Sequence, residues 1–377
     1  MAAINRKQLP ETLAPDYTFR YVDIGSVSGD GHVLLPDEPI SFETAPSRAR
    51  RLASPGATIV STVRTYLRAI ARVPDSSEPL VFSTGFAVLE PGAEMHSGYL
   101  YYACRANTFI DEVVARSTGV SYPAINPADI GDITIEVPPI DDQRRIADFL
   151  DDQVARLDRA IELRQRQMAL VRKSASSGSR HLIDHLQCNR VPLRYLVQCL
   201  DGRRIPLNAT ERADRKGEVP YWGAGSIVDY IDQPLFDETL VLLGEDGAPF
   251  FDEMREVAFL VTQPVWVNNH IHVLRAINGV SPAFLVHALN SVDYAAYITG
   301  ATRDKLTQED MRGIHVPVPA YGRQVQLSER LDATASTVRA AENVMQRQVD
   351  LFRERKQSLI TAAITGEFDV TTARSVV

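Results

Sequence analysis

Sliding the sequence along itself by 181 residues brings Thr118 and Gly119 onto Thr299 and Gly300, Asp129 onto Asp310, Ile133 onto Ile314, Ile135 onto Val316 and Pro138 onto Pro319. The match continues through Gln143 and Gln324, Leu150 and Leu331, Asp151 and Asp332, and the run QRQ at 165 and again at 346. An offset held over roughly 50 residues marks an internal repeat, which constrains the fold more than any local propensity. Each half reads as a variable block of roughly 130 residues, then a short strand ending in proline, then a helix. Proline suits that junction, because its fixed φ leads from an extended segment into a first helical turn.

The repeated helices carry coiled-coil seams. In the first, Leu150, Val154, Leu157, Ile161, Arg164, Met168, Val171 and Ala175 alternate at steps of four and three. In the second the seam is Leu327, Leu331, Ala335, Val338, Glu342, Met345, Val349, Phe352, Lys356 and Leu359. Each is the natural partner of the other. The expected fold is α+β: two globular blocks related by the repeat, at 1–138 and 187–319, separated by an antiparallel two-helix coiled coil built from 139–186 and 320–377. About 36 residues at 1.5 Å rise make a rod of roughly 55 Å. Pairing about the helix midpoints sets paired residue numbers to a sum of about 506, which puts Arg164 opposite Glu342 and Ile161 opposite Met345.

The blocks read as α+β. FRYVDIGSV, GATIVSTVR and LVFSTGFAVL alternate like strands, and GYLYYACRANTFIDEVVARS reads as a helix. In the second block ETLVLLGEDG and VWVNNHIHVLRA are expected strands around a turn, and SPAFLVHALNSVDYAAYI a helix with Ser281 as N-cap and Pro282 at N1.

At 377 residues, 45% hydrophobic and 23% charged, the chain has the composition of a soluble globular protein with more than one domain. No apolar run reaches the roughly 18 residues of a membrane span, and MAAINRKQLPETLAPDY lacks the apolar core of a signal peptide. Three cysteines without CxxC spacing suit neither a disulfide framework nor a zinc site, so a reducing cytoplasm is expected. There is no GxxxxGK[ST] loop, no GxGxxG fingerprint and no Pro-Pro-aromatic tetrapeptide of amino-methyltransferases, so the chain is expected to be non-enzymatic, with no cofactor or metal of its own. The carboxylates of GEDG at 244–247 read as solvated turn residues, His181 and His185 as a surface pair, and His270 and His272 as structural or polar-contact residues on one strand face.

A net charge of −8 weighs against nucleic-acid binding unless charge is unevenly distributed. It is. From Thr44 to Pro74 there is no acidic residue but there are six arginines, 48, 50, 51, 64, 68 and 72. A guanidinium fork suits phosphates and guanine edges, and Ser61, Thr62 and Tyr66 are interleaved as hydrogen-bonding groups. The second block is acid-free from Val257 to Val292, with Arg275 inside and Arg303 and Lys305 after the Thr299–Gly300 turn.

The chain resembles the specificity subunit of bacterial type I restriction-modification enzymes. The residues that carry the resemblance are YVDIGSV and GATIVSTVRTYLRAIA in the first block, PYWGAGSIVDYI and VNNHIHVL in the second, the P-P-x-x-x-Q-x-x-I helix entry at 138, and the terminal LITAAITGEFDV. The second helix entry, PAYGRQVQL, departs from the pattern at Ala320 and Leu327. The resemblance implies two target-recognition domains that read a bipartite double-stranded DNA target. It also implies recruitment of two modification subunits, which carry S-adenosylmethionine and the adenine methylation chemistry, and of restriction (translocase) subunits. The expected DNA contacts are Arg48, Arg50, Arg51, Arg64, Tyr66 and Arg68 in the first block and Tyr221, Asn268, Asn269, His270, Arg303 and Lys305 in the second. The helices then act as a ruler between readers spaced about one DNA turn, roughly 34–36 Å. The rival reading is a coiled-coil adaptor whose two globular ends bind proteins and show no sequence preference for DNA.

Overall fold

The computed structural model describes residues 2–298 and 305–370. Two long helices run Ile140–Asp184 and Tyr321–Ile364, 45 and 44 residues, a little over two turns longer than the rod of about 36 residues expected from the seams. The chain divides into two compact units, Met1–Leu163 with Gln348–Val377, and Arg164–Arg347. Each unit takes one end of each long helix. In the first, Leu150 and Val154 share a core with Ile360, Ala363 and Ile364; in the second, Ile183 shares one with Leu327 and Leu331. The start of each helix thus lies against the end of the other, and the pair is antiparallel.

The first unit holds a four-stranded antiparallel sheet in the order Ala3–Ile4, Phe86–Glu90, Thr58–Ser61, Ile70–Arg72. A second four-stranded sheet, Ile40–Ser41, Thr18–Val22, Leu80–Ser83, Ala49–Leu52, pairs its two central strands in parallel. The second unit repeats the first sheet's order with Val197–Cys199, Ile271–Ala276, Leu240–Gly244 and Ala258–Val261, again all antiparallel. The repeat read in the helices therefore extends into the domains.

Some elements differ from expectation. GYLYYACRANTFIDEVVARS forms two helices, Ser97–Arg105 and Asn107–Arg116, because Ala106 turns extended at ψ 144°. Asn107 opens the second by donating its N–H to the Thr361 hydroxyl of the long helix at 3.0 Å. SPAFLVHALN starts as expected, with Ser281 capping Phe284, but the helix ends at Asn290 and Tyr294–Ala296 is a separate turn. The strand before the second long helix, His315–Pro317, pairs with Arg190–Pro192, whereas the corresponding residues 134–136 before the first helix form no strand.

The repeated glutamine explains why the unit occurs twice. Gln143 is buried, donates to the Pro138 and Glu94 carbonyls at 2.8 and 3.0 Å, and accepts from the N–H of His96, the N-cap of helix Ser97–Arg105. Gln324, also buried, donates to the Pro319 carbonyl at 2.8 Å and accepts from the N–H of Ser281, the N-cap of helix Pro282–Asn290. About two turns further along each long helix, Tyr102 donates to Asp151 at 2.8 Å, and His287 pairs with Asp332 at 2.9 Å. Each domain helix is thus latched at two points to its own long helix.

The helix register differs from the expected one. Glu342 accepts from Arg172 at 2.7 Å rather than from Arg164, which donates to Gln167 on its own helix. Lys356 meets Asp158 at 2.7 Å, and the residue numbers of both interhelical pairs add to 514, not 506. Lys356 supplies the reason. In the expected register its ammonium would face Leu150, a buried charge without a partner; in the observed one it lies between Asp158 and Asp30.

Candidate nucleic-acid interface

Between the strands Thr58–Ser61 and Ile70–Arg72 the arginine-rich segment folds into a tight 3₁₀ turn at Thr65–Leu67. Arg64 and Arg68, the residues flanking it, both sit in the left-handed region at φ 50° and 52°. A side chain there costs roughly 1–2 kcal/mol, which glycine would avoid. Arg64, Tyr66, Leu67 and Arg68 are exposed on the turn. The turn's base is rigid. Thr62 donates to the Gly85 carbonyl, Ser61 to that of Val63, and the Thr65 and Ser117 hydroxyls meet at 2.9 Å. Ser61 and Thr62 are therefore buried scaffold and not the exposed hydrogen-bonding groups the sequence suggested.

The other arginines are placed differently. Arg48 is exposed in the turn before strand Ala49–Leu52. Arg50 lies over the Phe42 ring at 5.4 Å and donates to the Ala49 carbonyl. Arg51 is half-buried, with its Nε inside the domain. Arg72 reaches Asp151 at 3.5 Å. The structure thus separates a presented group, Arg64, Tyr66 and Arg68, from arginines partly engaged by their own fold.

In the second domain Tyr221 is fully buried beside Ile231 and Trp266, and its hydroxyl accepts from the Leu207 N–H at 2.9 Å, so it is a core residue and offers nothing to a ligand. Asn268, Asn269 and His270 form the turn between Trp266–Val267 and Ile271–Ala276. Their surroundings are acidic: His270 faces Asp246 at 3.5 Å, and Lys305 faces Glu245 at 3.4 Å. Arg303 and the Thr299–Gly300 turn lie outside the described residues. His270 and His272 do not share an environment. His272 is buried in its strand, 2.6 Å from Asp201 and 3.0 Å from the Leu306 carbonyl.

Asp201, Glu245 and His272 bring ligand-type atoms within 4.8 Å of one another. A guanidinium already occupies their midst, because Arg204 donates to Glu245 at 2.5 Å and lies 3.6 Å from Asp201. Burial would raise the Asp201 carboxyl, but the His272 hydrogen bond and charge, the Val273 N–H and Arg204 hold it down at about 2. The three residues are thus tied with Arg204 into one network of hydrogen bonds and ion pairs. The His181 and His185 rings lie 4.0 Å apart, tilted by 34°, with His185 Nδ1 3.0 Å from the His181 carbonyl.

The second domain's counterpart of the arginine turn is the loop 245–257, between Leu240–Gly244 and Ala258–Val261. It is folded onto the long helix, with Glu253 paired to Arg180 at 3.1 Å and its carbonyl accepting from Ser176 at 2.6 Å. Equivalent topology therefore presents different chemistry in the two domains.

Two α+β domains of one topology, each latched to an antiparallel pair of long helices and one of them presenting a basic turn, define a class of duplicated recognition proteins. The model of the family described as the type I restriction modification DNA specificity domain matches residues 2–169 and 194–346, and the chain belongs to that family. Members of the specificity-subunit family are the non-catalytic component of type I systems. A putative type I restriction enzyme specificity subunit of Haemophilus influenzae is 29% identical over 142 residues, which is 38% of this chain and about a third (36%) of that relative. A solved chain from work on complex assembly and conformational transition of a type I R-M system is 20% identical, with a TM-score of 0.73 over 97% of this chain and 98% of that one. The HsdS subunit of Thermoanaerobacter tengcongensis is also 20% identical, covering 96% and 94%, with a TM-score of 0.49. No described helix is long and apolar enough to cross a membrane.

Proposed function

We propose that the chain reads a bipartite DNA sequence, residues 1–138 one half-site and 187–319 the other, and holds two modification subunits together with restriction subunits. The observation that carries this is the turn Arg64–Arg68, where two arginines are held on unfavourable backbone on a rigid base with their side chains outward. Base edges in the major groove call for such preorganised donors, with Arg48 and Arg50 nearer the phosphates. In the second domain Asn268, Asn269, His270, Arg303 and Lys305 are the proposed contacts.

Recruitment of a partner in two copies is supported by the helices. Leu163 and Leu351 in the first unit, and Leu170 and Val344 in the second, are exposed leucines and a valine outside the seam. The repeat offset carries Leu163 onto Val344 and Leu170 onto Leu351. Two equivalent apolar pairs fit two copies of one partner. S-adenosylmethionine and adenine methylation belong in this reading to the modification subunits. The test is replacement of residues 1–138 by a homologous block, followed by sequencing of the host methylome. One half of the methylated motif should change and the other persist; a change in both halves, or methyl transfer by the chain alone, overturns the reading. An adaptor would give no motif at all.

A further inference from the structure

We propose that the closed loop Thr118–Ala124 is a second reading finger of the first domain, in which Tyr122 orients Arg64 and Val120 supplies an apolar contact to a thymine methyl group. The inference rests on the DNA-reading function above and adds residues that the arginine pattern does not include. Thr118 and Ala124 exchange both backbone hydrogen bonds at 2.9 Å, which closes the loop at its neck. Gly119, at φ 103°, makes the turn, and a Cβ there would lie 3.0 Å from the Tyr122 carbonyl. The neck is joined to the arginine turn: Arg64 donates its N–H to Pro123 at 2.7 Å, Ile125 donates to Thr62 at 2.9 Å, and Val63 bridges Ala124. Two loops thus rise from one base.

At the tip the loop exposes Val120 completely and most of Tyr122. Neither side chain serves the domain core. The Arg64 guanidinium lies 5.0 Å from the centre of the Tyr122 ring. The Arg64 backbone is fixed but its side chain makes no capping hydrogen bond, and a ring face attracts the guanidinium while leaving its N–H edges free to bond outward. Tyr122 is therefore a positioning residue that acts through Arg64. Val120 has a different task. A fully exposed aliphatic group on a loop joined at its base to the arginine turn fits a surface that is anionic at its rims and carries a methyl in its floor, which is the major groove at an A·T pair.

The test uses the full chain assembled with its modification subunits in a host without other adenine methylation. Methylome sequencing of the wild type first fixes the motif. Tyr122→Leu should relax one position of the first half-site about tenfold, the same position that Arg64→Ala relaxes, while the second half-site is kept. Tyr122→Phe, which keeps the ring, should retain the discrimination that Tyr122→Leu loses. Duplexes with deoxyuridine at each thymine of the first half-site should bind the wild type about three- to fivefold more weakly at one position, and Val120→Ser should abolish that difference. Full discrimination in Tyr122→Leu and an unchanged deoxyuridine penalty in Val120→Ser overturn the proposal. So does equal weakening on cognate and scrambled duplexes, which would make the loop a non-specific contact. A wild-type complex that methylates no bipartite motif overturns both this inference and the reading beneath it.

Discussion

Replacing Lys356 with methionine tests how the helix register is set. The Lys356 side chain is 4% exposed, and its ammonium lies 2.9 Å from Asp30 and 2.7 Å from Asp158. Removing one partner of a fully buried ion pair costs about 3–5 kcal/mol, because the charge left behind has lost both water and counter-charge. Here the Asp30 and Asp158 side chains are 42% and 25% exposed and can rehydrate, so the cost should fall to about 2 kcal/mol. Methionine preserves the aliphatic stem, so the loss reads the charge and not a cavity. Urea unfolding followed by helix circular dichroism should show a lower midpoint at unchanged slope. In an Asp158→Asn background the same replacement should cost about 1 kcal/mol less, since the two residues share one interaction. The pH dependence has a fixed sign. Burial would raise the Asp30 carboxyl, but the hydrogen bond and charge of Lys356, with Arg353 and Arg105, hold it below the ordinary value. Its contribution is therefore present above about pH 4 and lost as pH falls through the depressed value, and Lys356→Met should shrink that acid-side slope. A midpoint unmoved by Lys356→Met, or a cost identical in both backgrounds, would refute the argument.

Exchanging charges in the other interhelical pair, Arg172→Glu with Glu342→Arg, should restore most of the roughly 0.5–1 kcal/mol that either single change removes, as read from thermal midpoints. Gln324→Leu leaves the Ser281 N–H and the Pro319 carbonyl without their partner and should lower stability by about 2–3 kcal/mol, with hydrogen exchange rising first at the start of helix Pro282–Asn290. Asp201, held at about 2, stabilises the second domain above about pH 4 and stops doing so as pH falls toward 2, so Asp201→Asn should flatten acid unfolding in that window. In a salt series on the assembled methyltransferase, Arg48→Ala should weaken cognate and scrambled duplexes alike and reduce the slope by about one, whereas Arg68→Ala should act mainly on the cognate; equal effects would remove the distinction between the two arginines.

The helices were legible because a seam is a one-dimensional pattern. Leu150, Val154, Ile161, Leu327, Leu331, Met345 and Val349 are all buried as their spacing demands. The register was not, because it depends on Asp30, a loop residue far away in sequence that helps the buried Lys356 find its partners. The same holds for single residues in the domains. Tyr221 and His272 stand in motifs that look like polar recognition segments, yet each is buried, and its polar atoms are satisfied by residues remote in sequence, Leu207 for one and Asp201 with Leu306 for the other. Val120 and Tyr122 lie in STGVSYPA, whose glycine, serine and proline mark a turn. Nothing local shows that this turn shares a base with Arg64.

The offset between the halves carries one more step of reasoning. It is 181 at the glutamine latch, but 182 from Thr58 to Leu240, 185 from Phe86 to Ile271 and 188 from Ile70 to Ala258, where the two matching sheets begin their strands. The offset is constant where both halves perform the same task, seating a domain helix and the seam on a common helix pair. It drifts where a strand pair leads into an outward loop, and there the chemistry diverges too: the first domain offers Arg64, Tyr66 and Arg68, and the second a loop whose Glu253 is bound to Arg180. One surface cannot serve both domains in the same way. A first-domain turn grafted into the second should therefore fail unless Arg180 and Ser176 are also replaced, because the graft would strip these helix residues of the carboxylate and carbonyl that satisfy them.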